Sequence, residues 1–529
     1  MRYTARLERA CDNAIRPKNE FIEVSQSENM TAPSIYDIVV IGGGINGVGI
    51  ARDAVGRGLS VLLAEQHDLA QHTSSASTKL IHGGLRYLEH MEFMLVRKAL
   101  LEREVILRSA PHITWPLRFV MPHDPSMRPE WMIRAGIYLY DHLAPRDLLP
   151  DSEVVKLADH VSGQPLAAGY QTGFIYSDGW VDDARLVVLN ALDAKEMGAD
   201  IRVQTKVIHA ERHADCWSLT LESNGIRSLV QAKAVVNAAG PWAAQVLGQT
   251  LKSPSQYHLR LVKGSHIIVP KLYDHAYAYI FQNPDKRIIF AIPYEHHYTL
   301  IGTTDVEFHA DPAHVSISTD EVDYLCAMSN RYFNAQISPA DVRHTYSGVR
   351  PLLEDANRDA RSAPSTLSRD YELELDHAGP PVLTIWGGKI TTYRKLAEQA
   401  IQKIQPYLHN HAPNWTAHAT LPGGAIGNLD IFAAQTWRQY PWMSDALLHR
   451  LCRTYGARLH KIFAGCQTET EAGPEVAPNL YARELNYLME QEFARHADDV
   501  LWRRTKLGLH YSATEREAVY QYFGERGHA

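Results

Sequence analysis

Ile38-Val39-Val40-Ile41-Gly42-Gly43-Gly44-Ile45-Asn46-Gly47 is the stretch that decides the fold. Four apolar, mostly β-branched residues read as a buried strand. They run straight into a glycine turn with the spacing G-x-G-x-x-G at Gly42, Gly44 and Gly47. Helical spacing follows, with Val48, Ala51 and Val55 on one face, until Gly56 and Gly58 stop it. Leu59-Ser60-Val61-Leu62-Leu63-Ala64 is a second strand, closed by Glu65. Strand, glycine turn, helix, strand and acid within about 30 residues make a dinucleotide-binding unit. Gly42 permits the tight turn, Gly44 lets backbone approach a pyrophosphate, and Gly47 lets the helix pack on the strand. The helix N-terminus offers free N–H groups and a positive dipole end to phosphates. Glu65 is placed to accept hydrogen bonds from a ribose diol and disfavours a 2′-phosphate, which speaks against NADP.

Working outward, the chain is long enough for two or three domains around this unit: 529 residues, 45% hydrophobic and 21% charged. That composition excludes a mainly disordered chain. Lys and Arg total 53 against 60 Asp and Glu, a net charge of −7, so no whole-protein basic field for nucleic acid exists. No apolar run reaches the ~18 residues of a membrane span. The densest, Trp131 to Tyr140, contains Arg134. The five cysteines form no C-x-x-C pair, and the 27 histidines are dispersed, so neither a disulfide framework nor a metal site is expected. Residues 1–33 carry five basic and five acidic side chains without an apolar core. They read as a disordered or loosely attached polar arm, not a secretory signal, with Met30 a possible alternative start.

After the second strand comes a hydroxyl-rich loop, Thr73-Ser74-Ser75-Ala76-Ser77-Thr78-Lys79, then Leu80-Ile81-His82-Gly83-Gly84-Leu85-Arg86-Tyr87. Its position suits a polar ligand lying against backbone. Leu88 to Ala110 reads as one charged amphipathic helix. Residues 128–145 read first as a buried helix, with a membrane- or quinone-facing element as the alternative. Asp182 or Asp183 caps a helix opening at Val181–Leu186. Ala234–Trp242 reads as a strand running into a small-residue turn, and short β runs from about 258 to 345 indicate a mainly antiparallel sheet. Gly387-Gly388-Lys389-Ile390-Thr391 forms a second glycine turn, opening a helix over 391–403. Residues 428–529 are rich in helix formers. Their basic cluster, Trp502-Arg503-Arg504-Thr505-Lys506, reads as a solvated helix face, with anionic-lipid contact as the alternative.

These stretches together resemble the FAD-dependent, quinone-linked glycerol-3-phosphate dehydrogenases of aerobic bacteria. The likeness runs from about Tyr36 to the C-terminus. It is most specific at Ile41–Asp53, Thr73–His90, Trp180–Leu186, Lys263–Ile267, Gly302–Asp305, Thr345–Pro351, Gly387–Lys395 and Asp498–Lys506. It implies an α/β fold: a Rossmann-like FAD-binding domain with an antiparallel β substrate cap, amino-acid-oxidase-like, plus a C-terminal α-helical domain. The expected boundaries are 34–405 for the oxidoreductase, with the cap at about 90–180 and 255–345, and 406–529 for the helical domain. The implied reaction is oxidation of sn-glycerol 3-phosphate to dihydroxyacetone phosphate, FAD passing electrons to a membrane quinone. The implied setting is peripheral, at the cytoplasmic face of the inner membrane or in the cytoplasm, with a homodimer as the expected assembly.

Oxidising a secondary alcohol requires a hydride acceptor, a proton acceptor and cations for the phosphate. Positions matching the family's substrate pocket are Arg86, Tyr87, His266, Arg350, Arg369, Lys389 and Thr391. Among them His266 is the candidate base, and Arg350 and Lys389 are catalytic candidates at the flavin edge or the developing alkoxide. By the same resemblance Ser74, Ser77, Lys79, Gly84, Leu85, Gly388 and Thr391 join Gly42, Gly44, Gly47 and Glu65 as FAD contacts. Nothing near His82 demands a covalent flavin bond. The alternatives are an oxidase returning the electrons to O2, an amine-oxidising flavoprotein of the same fold, and a non-catalytic flavin-binding module. Multiple pocket cations favour a phosphate over an amine.

Overall fold

The computed structural model describes residues 35–124, 128–285, 287–354 and 370–524. Expectations for the N-terminal arm, Met30 and Arg369 lie outside the described residues. The dinucleotide unit folds as β1 (Ile35–Ile41), α1 (Ile45–Gly56) and β2 (Val61–Ala64). β1 pairs in parallel with β2 on one side and with strand Ile226–Asn237 on the other. The sheet runs Tyr371–Asp376, Val382–Gly387, Ile226–Asn237, β1, β2, Asp200–Arg202, and an antiparallel pair, Lys206–Arg212 and Trp217–Ser223, hangs from Ile226–Asn237. Both faces of its centre are covered, so Ile38, Val39 and Val40 are fully buried and their strand reads as a continuous apolar run.

A second sheet lies alongside. It is built from Leu80–Ile81, Thr114–Pro122, Glu153–Lys156, Thr172–Val181 and the strands between His258 and Glu354. Its pairings are antiparallel except where Ala278–Gln282 meets Thr114–Pro122. Apolar clusters fill both of its faces, one around Phe119 and Tyr176, the other around Phe281 and Phe333. Residues from Phe432 to Val519 bury an apolar cluster of their own, around Leu451, Tyr455 and Leu488.

Three local expectations change. The helix drawn over Leu88–Ala110 is a tight turn, Leu85–His90, followed by a helix only from Phe93 to Ser109. Met91 takes a left-handed φ of 60°, and the Glu92 N–H donates back to Tyr87 O at 3.1 Å, which ends the turn. The helix Glu130–His142 is not buried: Ile137, Tyr140 and Asp141 anchor it, while Trp131 and Tyr138 stand 68% and 65% exposed. The basic cluster near residue 503 is neither a solvated face nor a lipid-facing one. Arg504 is fully buried on Asp68, and Lys506 is bound to Asp182.

The C-terminal segment docks through a further buried ion pair. Arg185, on helix Asp183–Glu196, donates from Nη2 to Glu492 Oε1 at 2.9 Å, both side chains lying out of solvent. Removing one partner strands the other charge in a dry interior. Arg185→Met is therefore expected to cost about 3–5 kcal/mol, read as a lower urea midpoint. An unchanged midpoint would show that Glu492 finds a substitute partner.

Candidate active site

The glycine turn is shaped by crowding. A Cβ on Gly47 would stand 1.9 Å from Gly42 O, and one on Gly42, at φ +111°, would stand 2.6 Å from Ala238 O. Three backbone segments therefore meet closer than any side chain allows. The first turn of α1 is left facing a cavity of about 960 Å³. The Asn46 side chain lies on its wall and donates from Nδ2 to Gly387 O at 3.2 Å, while its buried Oδ1 has no partner among the described residues.

Glu65 closes β2 at the cavity's edge. Its Oε2 accepts from Gly43 N at 2.6 Å and its Oε1 from His67 N at 2.8 Å. Burial nevertheless dominates and pushes its pKa up to about 7. The loop after β2 turns back onto the glycine turn: Ala70 N donates to Gly43 O at 3.3 Å, and Ser74 Oγ accepts from Ile45 N at 3.0 Å.

The second sheet supplies the opposite wall. His266 and Arg350 sit on adjacent antiparallel strands, where Val262 faces Arg350 and His266 faces Tyr346. Two glycines make room for them. A Cβ on Gly302 would meet the His266 ring at 2.1 Å, and one on Gly264 would meet Arg350 Nη2 at 2.2 Å. His266 is 1% exposed and stacks on Tyr346, with centroids 4.6 Å apart. Its Nε2 shares a hydrogen bond with Thr78 Oγ1 at 3.0 Å, and its buried Nδ1 has no partner among the described residues. Burial first, then the charges of Arg350 and Lys79, hold its pKa well below the ordinary value, so the imidazole is neutral. Arg350 pairs with Asp305 and donates from Nη2 to Thr303 Oγ1 at 2.7 Å. Lys389, in the second glycine turn, places Nζ 4.0 Å from the centre of the Tyr87 ring. Thr391 is buried behind it, and its Oγ1 accepts from His82 N at 3.3 Å.

The cavity wall thus gathers Gly42, Gly44, Glu65, Ser74, Ser77, Tyr87, His266, Arg350, Gly388, Lys389 and Thr391 from widely separated parts of the sequence. Gly47 lies behind the turn, where it sets the packing. Four expected contacts are off the wall. The Lys79 ammonium is drawn away to the buried Asp183 carboxylate at 2.7 Å. Gly84 takes a left-handed φ of +80°, and a Cβ there would strike the Tyr87 ring at 2.2 Å, so it shapes that ring's seat instead. Leu85 and Arg86 open the tight turn Leu85–His90, and neither lines the cavity. Sequence reading missed Thr78, Thr303, Asp305 and Tyr346. Gly302-Thr303-Thr304-Asp305 stands out as a stretch, but only strand register shows that it faces His266 and Arg350. The helix expected over 391–403 starts at Tyr393, after a tight turn at Ile390–Thr392.

A glycine-fingerprint sheet facing a second sheet, with a neutral histidine and two cations on the wall between, defines a dinucleotide-dependent oxidoreductase. The family model for FAD dependent oxidoreductases matches residues 37–394, and that for the C-terminal domain of alpha-glycerophosphate oxidase matches residues 414–523. The chain belongs to the FAD-dependent oxidoreductase family. It is 52% identical to a glycerol-3-phosphate dehydrogenase of Pseudomonas aeruginosa, over 94% of this chain and 97% of that protein. It is 47% identical to a D-erythritol 1-phosphate dehydrogenase of Brucella abortus, over 93% and 99%. Among solved structures it resembles the glycerol-3-phosphate dehydrogenase from Bacillus halodurans complexed with FAD, with a TM-score of 0.71, 26% identity, and 93% and 94% of the two chains covered. The crowded glycine turn and the unpartnered Asn46 Oδ1 fit a bound dinucleotide.

Glu65 offers a test by pH. A carboxyl whose native pKa of about 7 exceeds its ordinary 4.5 binds more protons folded than unfolded. Its stabilising contribution is therefore present at low pH and is lost as pH rises through that window. Apoprotein stability should fall relative to Glu65→Gln between pH 4.5 and about 7, read from urea midpoints. A wild-type-to-variant difference that does not change with pH would contradict this environment.

Proposed function

We propose that the chain oxidises sn-glycerol 3-phosphate to dihydroxyacetone phosphate, and that it does so as a homodimer held peripherally at the cytoplasmic face of the inner membrane, where a quinone takes the electrons. The observation that carries the substrate reading is the gathering of His266 and Arg350 from the second sheet and Lys389 from the second glycine turn around the one cavity that the first glycine turn faces. FAD, when bound, supplies the hydride acceptor. Gly42, Gly44, Glu65, Ser74 and Gly388 would hold it. Arg350 and Lys389 supply the positive charge that a phosphate ester requires, and Arg adds paired donors. Asp305 fixes the guanidinium, so its geometry is set before substrate arrives.

His266 is kept neutral and can accept the hydroxyl proton at Nε2, the nitrogen that meets Thr78. Stacking on Tyr346, whose OH donates to Ser77 O at 2.9 Å, holds the ring in place. Tyr87 and Phe290 give the cavity apolar wall that excludes water from the reacting carbon. The relatives are named for dehydrogenases of two polyol phosphates, which supports this substrate class. The dehydrogenase names also favour a quinone over O2, and the cations favour a phosphate over an amine.

Membrane contact is supported by the face carrying Trp131, Met132 and Tyr138, with Met91 and Met94, at 73% and 75% exposure, beside the turn that packs on this helix. Such an aromatic and aliphatic face suits the headgroup boundary. No helix among the described residues is long and apolar enough to cross a membrane.

Two variants test the site. Arg350→Ala should keep its bound FAD and lose most turnover with glycerol 3-phosphate. His266→Gln should lower kcat by about 10²–10⁴-fold, the usual reach of general base catalysis. Wild-type turnover in either variant would remove that residue from the mechanism.

A further inference from the structure

The segment Trp502–Leu509 of the C-terminal helical region makes contact with loops, helix and sheet around the cavity. It is bound to each layer around the site. Arg504 donates from Nη2 to Asp68 Oδ1 at 2.8 Å and to Glu492 O at 2.7 Å. Arg503 donates from Nε to Asp68 Oδ2 at 2.6 Å. Asp68 itself lies on the cavity wall. It heads the turn whose Ala70 N–H donates to Gly43 O, and its neighbour Leu69 is packed so close to Gly43 that a Cβ there would meet Leu69 Cδ2 at 2.9 Å. The path from Arg504 to the glycine turn is thus one ion pair, one tight turn and one backbone hydrogen bond.

Lys506 forms a second arm. Its Nζ binds both Asp182 oxygens, at 2.6 and 2.8 Å. Asp182 caps the helix whose first residue, Asp183, takes the Lys79 ammonium on Oδ1 and the Ser77 hydroxyl, at 2.7 Å, on Oδ2. The two adjacent carboxylates are therefore gripped from opposite sides, Asp182 by the C-terminal segment and Asp183 by the hydroxyl-rich loop. The same segment also touches the second sheet. Trp502 stacks on His344 at 4.3 Å, on the strand that carries Tyr346 and Arg350, and Leu509 O accepts from Tyr298 OH at 3.1 Å.

We propose that Arg504 and Lys506 are positioning residues for the FAD site: they hold loop 65–79 against the glycine turn, so that the C-terminal region completes the cofactor pocket without touching the cofactor. Burial alone would raise the pKa of Asp68, yet Arg504 and then Arg503 hold it below the ordinary range, so the carboxylate stays charged and the grip persists. An ion pair of this burial is weak as a source of net stability but strict in geometry, which suits a positioning role. The inference rests on FAD being the cofactor.

The test is titration of apoprotein with FAD, followed by flavin fluorescence, alongside thermal unfolding. Arg504→Lys and Lys506→Met should each weaken FAD binding by about tenfold or more, because a loop released from its support loses the geometry its contacts need. Saturating FAD should restore most of the turnover lost at low FAD. Asp68→Asn reads the same contact from the other side, should Arg504→Lys fail to fold. Arg450→Lys is the control: Arg450 grips Glu484 at 2.7 Å inside the C-terminal core, away from the loop, so it should lower Tm and leave FAD affinity unchanged. If Arg504→Lys and Lys506→Met lower Tm as the control does but bind FAD within about twofold of wild type, the contacts are structural only and the proposal is overturned. A wild-type apoprotein that takes up no FAD would overturn the cofactor reading, and this inference with it.

Discussion

Backbone crowding at Gly42, Gly47 and Ala238 is the constraint on which the rest of the structure depends. The first turn of α1 can point its N–H groups into the cavity only if it packs directly on the end of β1. That close approach needs hydrogen in place of Cβ at two positions. It also needs a small residue just past the end of the neighbouring strand, which Ala238 supplies. Once the turn is fixed, Glu65 can bond Gly43 and the loop after β2 can fold back over it. The phosphate-binding face is set by this geometry before any charged side chain is considered.

The second sheet turns that binding face into a reaction site. Its strands bring His266 and Arg350 to the cavity by antiparallel register, and glycines on the same and neighbouring strands leave the space they occupy. The histidine is buried among positive charges, which keeps it neutral and able to take a proton. Those charges are held in turn: Arg350 by Asp305, Lys79 by Asp183. The C-terminal segment closes the arrangement from outside, with Arg504 and Lys506 on carboxylates that belong to the first sheet's loops and helices.

The first sheet was readable from sequence because its signals are local. A strand, a glycine turn, a helix and an acid follow one another within one short stretch, and each carries its own spacing. The cavity's cations were readable only through resemblance, since Arg350 and Lys389 have no local signature. What escaped is what depends on pairing at a distance. Thr78 meets His266 across 188 positions, and Asp68 meets Arg504 across 436. The basic run at 503–506 looked like a solvated face because Asp68 and Asp182, which bury Arg504 and hold Lys506, lie hundreds of residues earlier. Lys79 looked like a ligand contact for the same reason: its claim on Asp183 is invisible until helix Asp183–Glu196 packs beneath the loop. The helix over 130–142 misled in the opposite direction. Its apolar residues suggested burial, yet only one edge of it meets the protein.

The central claim is that this chain moves a hydride from a polyol phosphate to its flavin. Anaerobic absorbance of the purified holoprotein at about 450 nm, where oxidised flavin absorbs, tests it most directly. Adding sn-glycerol 3-phosphate should bleach the band, glycerol should not, and a short-chain ubiquinone should restore it. A flavin band that stays unbleached by the phosphate ester would contradict the account.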